Sequence, residues 1–282
     1  ICCYSNSHPV IDSSNIWSNT ATTYGGGMYC SANSSPTLTR LSFKYNNAST
    51  GAGMYCSNNS NPALDQVTIV NNVAEHSGGG IYAPYSNLSI NRSVISDNQS
   101  TGKGGGVYLS NFTSSVENTI ISGNTAQDGA GLYISASAPR IVNCEITQNV
   151  ASQFGGGIYM SVTEPELVNL TIGDNTAEAG SGIFSYRSET TVVNTILWNE
   201  PYNEVFFKLT GTPSSITFAY SDVQGADNGI VTNGNGTYEW LEGNINSDPA
   251  FEGGTLNPYV LTVGSPCIEA GTPDTTGLLL PY

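Results

Sequence analysis

The chain has few basic residues, hardly any histidine and no long apolar segment. Its 282 residues include seven Lys and Arg against 22 Asp and Glu, which gives a formal net charge of −15. Nucleic-acid binding needs a basic footprint, so this balance disfavours a nucleic-acid partner. It equally disfavours anionic polysaccharides and acidic lipid surfaces. No segment approaches the roughly 20 apolar residues of a membrane-spanning helix, so we expect no direct membrane insertion.

What the sequence has in abundance is repetition. Seven times, a tripeptide with glycine at its first and third positions precedes an apolar residue and then an aromatic one. The tripeptides start at Gly25, Gly51, Gly78, Gly104, Gly129, Gly155 and Gly180, at intervals of 25 to 27 residues. A regular period of this length indicates a solenoid or another repeat architecture.

A second motif keeps the same period. An apolar residue stands three positions before an asparagine in Ile16/Asn19, Phe43/Asn46, Ile69/Asn72, Ile95/Asn98, Ile121/Asn124, Ile146/Asn149, Ile172/Asn175 and Ile196/Asn199. Two motifs in phase over this many periods indicate that each period folds as one structural unit.

Within each unit, no stretch between the two motifs is long enough to form an amphipathic helix. Short β-forming runs such as 67–70 are separated by glycine, asparagine, serine and proline. Strand-and-turn units of about 26 residues are typical of a parallel β-helix, whose coils stack about 4.8 Å apart. We predict an all-β, single-stranded parallel β-helix over residues 1–225, beginning in the middle of a coil. An irregular C-terminal capping segment, itself truncated, is predicted over 226–282.

Both motifs are predicted to be parts of the scaffold. Apolar residues recur at fixed positions, for example Met28, Met54 and Ile81 after the glycines, and these columns should face inward. The glycines should lie at a crowded bend with positive φ. The asparagines should stack one per coil, with their amides hydrogen-bonded along the axis.

Six cysteines raise the question of disulfides. They are Cys2, Cys3, Cys30, Cys56, Cys144 and Cys267. Cys3, Cys30 and Cys56 share one inward column, where we expect buried thiols that act as small apolar residues. One disulfide within that column is the alternative, because the coil spacing lies within the Cα separation that a disulfide tolerates. Without CxxC spacing and with two histidines, we expect no metal and no cofactor.

The repeats resemble those of the polymorphic outer-membrane protein family and related secreted bacterial β-helix proteins. The closest instances are Gly155–Ile158 and Phe43–Asn46, and the likeness covers residues 1 to about 200. The segments 220–225, 243–251 and 265–271 are similar to the ending of secreted β-helix proteins. The resemblance implies a right-handed coil, which also follows the general crossover preference. It further implies an extracellular or bacterial cell-surface location.

The residue between the two inward columns is aromatic in all seven coils that carry the glycine motif. This aromatic ladder consists of Tyr29, Tyr55, Tyr82, Tyr108, Tyr133 and Tyr159, continued by Phe184. It should point outward, so it is the candidate binding surface. Three roles stay open: stacking that stabilises the strands, binding of surface glycans, and lateral packing against other proteins or further copies of the chain.

Candidate catalytic acids are poorly placed for cooperation. Asp97 and Asp174 share a column, but they lie three coils apart, about 14 Å at the sheet spacing. Glu75 and Glu178 are four coils apart, and His8 and His76 have no repeated acidic partner. We therefore expect a non-catalytic structural or adhesive display scaffold. The alternatives are a polysaccharide lyase or hydrolase of β-helix type, or a glycan-binding module.

Overall fold

The computed structural model describes residues 1–199, 203–255 and 258–272. In these ranges the chain forms a solenoid of short parallel strands, and its helical content is one 3-10 turn at Ala226–Gly229. Partner residues in neighbouring coils are about 26 positions apart, as in the pairs Met28 with Met54 and Ile81 with Val107. The predicted all-β parallel β-helix is confirmed.

Two sheets of ten strands each run the length of the described solenoid. Sheet 1 holds the strands that follow the glycine motif: Cys2–Cys3, Met28–Cys30, Met54–Cys56, Ile81–Pro84, Val107–Ser110, Leu132–Ser135, Ile158–Ser161, Ile183–Tyr186, Val205–Phe207 and Ile230–Val231. Sheet 2 holds the next strand of each coil: Val10–Asp12, Thr37–Thr39, Ala63–Asp65, Ser89–Asn91, Ser115–Glu117, Arg140–Val142, Glu166–Val168, Glu189–Val193, Ser214–Ala219 and Gly236–Trp240.

Two further sheets complete the described coils. Sheet 3 carries the apolar residue of the asparagine motif: Asn15–Trp17, Ser42–Lys44, Thr68–Val70, Val94–Ser96, Ile120–Ser122, Glu145–Thr147, Thr171–Gly173, Ile196–Trp198 and Asp222–Val223. Sheet 4 is shorter and lies between the asparagines and the glycines: Asn47–Thr50, Val73–Ser77, Gln99–Ser100, Thr125–Asp128 and Val150–Phe154.

The predicted inward columns form the core. Met28, Met54, Ile81 and their counterparts in later coils are fully buried, as are Cys30 and Cys56 in the neighbouring column. The sheet 2 column is buried from Leu38 onward. Apolar residues at fixed positions therefore build one continuous core along the axis, as alternation along each strand requires.

The glycines occupy the crowded bend before sheet 1. The first glycine of each motif has a positive φ, between 59° and 68° over the seven coils. At the third position a Cβ on Gly106 would lie 2.7 Å from the carbonyl oxygen of Gly131 in the next coil. The first position therefore needs glycine for its backbone angle and the third for space.

The asparagines of the motif form a buried column, the inner asparagine ladder, through Asn46, Asn72, Asn98, Asn124, Asn149, Asn175 and Asn199. In each step the side-chain Nδ2 and the backbone N–H donate to the Oδ1 of the next asparagine; for Asn98 and Asn124 both distances are 3.0 Å. The second Nδ2 hydrogen of Asn98 goes to the Ile69 carbonyl at 2.9 Å. The predicted ladder is confirmed.

The last step of this ladder departs from the predicted motif. Leu197, not Ile196, pairs with Ile172 and is fully buried, whereas Ile196 pairs with Thr171. The prediction of Ile196 at the inward position was wrong, because this coil is one residue shorter before its asparagine. Glu204, fully buried, then replaces the next asparagine: its carboxylate accepts from Asn199 N at 2.7 Å and from Asn199 Nδ2 at 2.6 Å.

Strand pairing continues beyond residue 225, where the capping segment was predicted to begin. Ile230–Val231 extends sheet 1 and Gly236–Trp240 extends sheet 2, both in parallel register. Trp240 packs on Phe218 with ring centroids 4.8 Å apart, so the end of the core carries an aromatic side chain. The remaining residues, 246–255 and 258–272, are named the C-terminal strap. Residues 273–282 of the predicted cap lie outside the described residues.

Candidate binding surfaces

The aromatic ladder is a continuous stack of rings. Neighbouring centroids are 4.4 to 5.6 Å apart from Tyr29 to Tyr159, and interplanar angles do not exceed 22°. The stack continues through Phe184 and Phe206. Each ring face is therefore covered by the next ring, and the column turns ring edges and hydroxyl groups outward. Inside the column no ring face is free for the stacking of a sugar, which bears on glycan binding, one of the three roles left open for the ladder.

The ladder also differs along its length. Tyr29, Tyr55, Tyr82 and Tyr108 are half-buried, whereas Tyr133 and Tyr159 retain only 4% and 8% of their accessible surface. Phe154 covers the buried part through contact with Phe184, at 4.7 Å between centroids. Tyr133 and Tyr159 are thus packing residues, which contradicts their predicted availability for binding.

Two charged side chains flank the middle of the ladder. Lys103 Nζ lies 4.8 Å from the Tyr133 ring centroid. The backbone of Lys103 forms an isolated parallel β-bridge with the backbone of Asp128 in the next coil. Burial raises the pKa of the Asp128 carboxyl, against the opposing effect of Lys103. Burial likewise raises the pKa of the Tyr133 hydroxyl. These charges pack against the ladder and contribute to its cover.

The candidate acids stay apart. The strands ending beside Asp97 and Asp174 are separated in sheet 3 by two intervening strands. The Asp97 carboxylate lies against Gly123 of the adjacent coil, and Asp174 accepts a hydrogen bond of 2.8 Å from the Tyr259 hydroxyl of the strap. Neither is paired with the other, so they do not form a general acid–base pair of the kind found in glycosidases.

The histidines and arginines have local structural partners. His8 Nδ1 accepts from the Ser35 backbone N–H at 3.1 Å. Arg40 forms an ion pair with Asp12, and Arg92 pairs with Asp65 through Nε at 2.9 Å. The hydrogen bonds and charge of Arg92 lower the pKa of the Asp65 carboxyl. The arginines therefore bridge adjacent coils on the outside of sheet 2.

All six cysteines are free thiols. Cys3, Cys30 and Cys56 are in parallel register and buried, as predicted for a column of small apolar side chains. Burial raises the pKa of Cys3 to about 11. Cys144 donates to the Val142 carbonyl at 3.2 Å, and burial raises its pKa to about 12. Cys3 and Cys144 are therefore protonated thiols at neutral pH.

A second column of asparagines, outside the inner asparagine ladder, was not predicted from the sequence. This outer asparagine ladder consists of Asn118, Asn143, Asn169 and Asn194, which occupy a left-handed bend between sheets 2 and 3, with φ from 50° to 54°. Asn143 Nδ2 donates to Asn118 Oδ1 at 3.2 Å and Asn169 Nδ2 to Asn143 Oδ1 at 3.0 Å. Asparagine at a constant offset from the inward residue of sheet 3 was the available signal.

A groove runs along this outer ladder. Its volume is about 410 Å³, and its walls include Asn118, Asn143, Asn169, Ile120 and Glu145. Burial raises the pKa of the Glu145 carboxyl. At its C-terminal end the groove meets a cavity of about 230 Å³ that the strap closes on one side. Both openings share Asn169 and Thr171, so together they form one continuous surface feature.

The strap is held against the outside of the coils by polar contacts. Asn194 Nδ2 donates to the Thr272 carbonyl at 3.0 Å, and Asn194 Oδ1 accepts from the Thr272 N–H at 2.9 Å. Cys267 Sγ donates to Asp222 Oδ2 at 3.0 Å. Burial raises the pKa of Cys267 to about 12 and also raises the pKa of Asp222. The strap therefore packs on the side of the solenoid.

A third groove of about 420 Å³ follows the bends between sheets 1 and 2, past Phe112, Glu164, Arg187 and Glu189. The described residues contain no group of three or more His, Cys, Asp or Glu that could hold a metal ion. Within that same part of the chain, no helix is long and apolar enough to cross a membrane.

Comparison with known proteins identifies the repeat. Residues 64–197 match the family model described as "Right handed beta helix region". This match supports the β-helix repeat family and agrees with the predicted right-handed coil. No curated protein and no solved structure matches the chain.

Proposed function

We propose that this right-handed parallel β-helix is a non-catalytic display or adhesive scaffold of an exported protein. β-Helix regions occur in both structural and carbohydrate-active proteins, so the fold alone does not choose between these roles. The observation that carries the proposal is that the asparagines of the sequence motif and the aromatic ladder are used internally. The inner asparagines bond to one another, and the ladder rings stack face to face.

The surroundings of the candidate acids support the same proposal. Hydrolysis of a glycosidic bond typically uses two carboxyl groups that lie roughly 5 to 10 Å apart. Asp97 and Asp174 lie three strands apart in sheet 3, about 14 Å at the spacing of parallel strands. Three of the four arginines, the residues that could bind an acidic glycan, are engaged with Asp12, Asp65 and Glu117.

The proposed location is the bacterial cell surface or the extracellular medium. It is supported by the resemblance of the repeats to polymorphic outer-membrane proteins and by the net charge of −15, which favours solubility. Proposed partners are surface glycans, other surface proteins or further copies of the chain. The same charge argues against nucleic acid as a partner.

The proposal is tested by incubating the protein with neutral and acidic polysaccharides, with and without Ca²⁺. Reducing ends and the ultraviolet absorbance of unsaturated products report hydrolase and lyase activity. We expect neither signal to exceed that of the heat-inactivated protein. Release of products that is abolished by Asp97→Asn or Asp174→Asn would refute the scaffold role and identify an enzyme.

A further inference from the structure

The outer asparagine ladder presents unused hydrogen-bonding groups to the groove. Asn118, Asn143 and Asn169 are exposed. Each amide has two N–H donors and two acceptor lone pairs. Among the described residues, the contacts between successive amides use one N–H from Asn143 and one from Asn169. The ladder thus offers a donor and an acceptor in every coil, at the coil spacing of about 4.8 Å.

Asn194 shows what such an amide binds in this protein. Its Nδ2 donates to the Thr272 carbonyl at 3.0 Å while its Oδ1 accepts from the Thr272 N–H at 2.9 Å. One asparagine amide can thus bond at the same time to a donor and an acceptor that are neighbours in the bound group, here the backbone N–H and C=O of a single residue. The groove beside Asn118, Asn143 and Asn169 continues directly from this occupied position through the shared wall at Asn169.

The spacing of the ladder selects among linear polymers. An extended peptide presents equivalent backbone groups every second residue, about 6.7 Å apart, which does not match the coil spacing. A sugar unit of an extended polysaccharide advances by close to one coil and carries vicinal hydroxyl groups, each both donor and acceptor. One sugar per coil therefore brings a vicinal pair of hydroxyl groups to each amide, and either face of the sugar offers both a donor and an acceptor.

The charge and shape of the groove narrow the ligand further. Glu145 lies in the wall of the groove. The negative charge of its ionised carboxylate repels an acidic glycan. Ile120, with 39% of its surface exposed, supplies an apolar patch for the C–H face of a sugar ring. Neutral sugars satisfy all of these features.

We propose that the groove along the outer asparagine ladder binds a neutral linear glycan, one sugar per coil, through Asn118, Asn143 and Asn169. The inference rests on the proposed scaffold function, because a groove that only holds a glycan needs no catalytic group. This proposal assigns glycan binding to the outer asparagine ladder and not to the aromatic ladder.

The test is affinity electrophoresis in gels that contain neutral glycans (β-glucan, xylan and mannan) or acidic ones (polygalacturonate and alginate). We expect the wild-type chain to be retarded by at least one neutral glycan and by neither acidic one. The double variant Asn143→Gly/Asn169→Gly should lose at least about tenfold in affinity, since tenfold corresponds to about 1.4 kcal/mol, the order of two hydrogen bonds. Glycine keeps the left-handed backbone without strain.

Asn59→Gly is the matched control. Asn59 is also an exposed left-handed asparagine whose Nδ2 donates to an asparagine of the previous coil, Asn33 Oδ1 at 3.0 Å, but it lies at another corner. It should bind as the wild type does. Thermal unfolding of each variant separates lost binding from lost folding.

Absence of retardation in every neutral glycan, or equal affinity of the double variant and the wild type, would overturn the inference. Retention on an immobilised polypeptide, lost in the double variant without any glycan binding, would overturn it in favour of a peptide partner. Either result leaves the scaffold proposal standing, which only the release of polysaccharide fragments refutes.

Discussion

Two columns of asparagine run along this solenoid, one inside the wall and one outside. In the inner ladder, Asn98 gives both side-chain hydrogens to partners and receives two hydrogen bonds on its Oδ1, in a site without solvent access. In the outer ladder, Asn143 is exposed and its amide contacts only its asparagine neighbours among the described residues. The same side chain therefore has opposite energetic roles.

The difference follows from burial. A buried polar group must keep its partners, because an unsatisfied donor or acceptor costs about 1 to 3 kcal/mol. An exposed amide exchanges its partners with water at little cost. Periodicity in the sequence thus reveals both columns of asparagine. Only the burial of each column shows which one stabilises the stacked coils and which one can bind a ligand.

The largest effect should come from the inner ladder. Asn98→Ala removes the acceptor of the Asn72 N–H and Nδ2 and the donor to the Ile69 carbonyl. We expect the free energy of unfolding, measured in urea, to fall by about 4 kcal/mol. The exposed counterpart, Asn143→Gly, should change it by less than about 0.5 kcal/mol. Equal losses in the two variants would break the comparison.

The aromatic ladder allows the comparison within one column. Tyr159 retains 8% of its surface and Tyr29 is half-buried, yet both stack on a neighbouring ring. Tyr159→Ala should cost about 3 kcal/mol, as for other buried aromatic residues. Tyr29→Ala should cost about 1 kcal/mol, the order of one ring pair. Chemical denaturation of both variants measures the difference, and a larger loss for Tyr29 would contradict the assigned burial.

A third comparison uses two adjacent glycines. The second position of the motif already holds Ala52 and Ala130 in two coils, whereas the third is glycine in all seven. Gly106→Ala would bring a Cβ within 2.7 Å of the Gly131 oxygen and should cost about 2 kcal/mol. A Cβ on Gly105 would lie 2.5 Å from the Thr125 oxygen. Gly105→Ala should nevertheless cost less, because Ala52 and Ala130 occupy this position in two other coils and the backbone there adjusts to the methyl group. The two melting temperatures measure the difference, and the reverse order would show that the second position is the more constrained one.

The smallest effect concerns pH. Burial raises the pKa of Asp128, Glu145 and Asp222, so the folded state binds more protons than the unfolded state above the ordinary carboxyl pKa. Stability from these groups therefore decreases as pH rises through that window. The partly exposed Asp65 acts in the opposite sense, because Arg92 lowers the pKa of its carboxyl, and its contribution to stability is small.

We expect a higher thermal midpoint at about pH 5 than at about pH 7.5. The variant Asp128→Asn should reduce this difference, whereas Asp65→Asn should not. A midpoint that rises steadily from about pH 5 to about pH 7.5 would show that the ion pairs dominate over the buried carboxyls, because a lowered carboxyl pKa adds stability as pH rises.

Sequence periodicity was sufficient to predict the coils, the inward columns and the inner ladder. Both motifs are dictated by local constraints: positive φ at Gly78, contact with the next coil at Gly80, and amide stacking at Asn98. Each constraint recurs in every coil, so its residue type recurs too. The one-residue shift at Leu197 was missed because Ile196 is equally apolar.

Features that occur once, or in varied form, escaped prediction. Glu204 ends the inner ladder with a carboxylate, a single substitution with no period. The strap contacts between Tyr259 and Asp174 join residues 85 positions apart. Ring orientation in the aromatic ladder depends on packing between coils, which residue identity alone does not determine. Residue identity therefore left three roles open for the aromatic ladder, and the outer ladder was overlooked beside the stronger inner one.

The most direct test of the account is side-chain amide hydrogen exchange in the wild-type protein, followed by NMR. If the inner ladder is structural and the outer ladder open, the Nδ2 hydrogens of Asn72, Asn98 and Asn124 should exchange at least about a thousandfold more slowly than those of Asn118 and Asn143, a difference of about 4 kcal/mol in opening free energy. Similar exchange rates in the two columns would contradict the division between scaffold and binding surface.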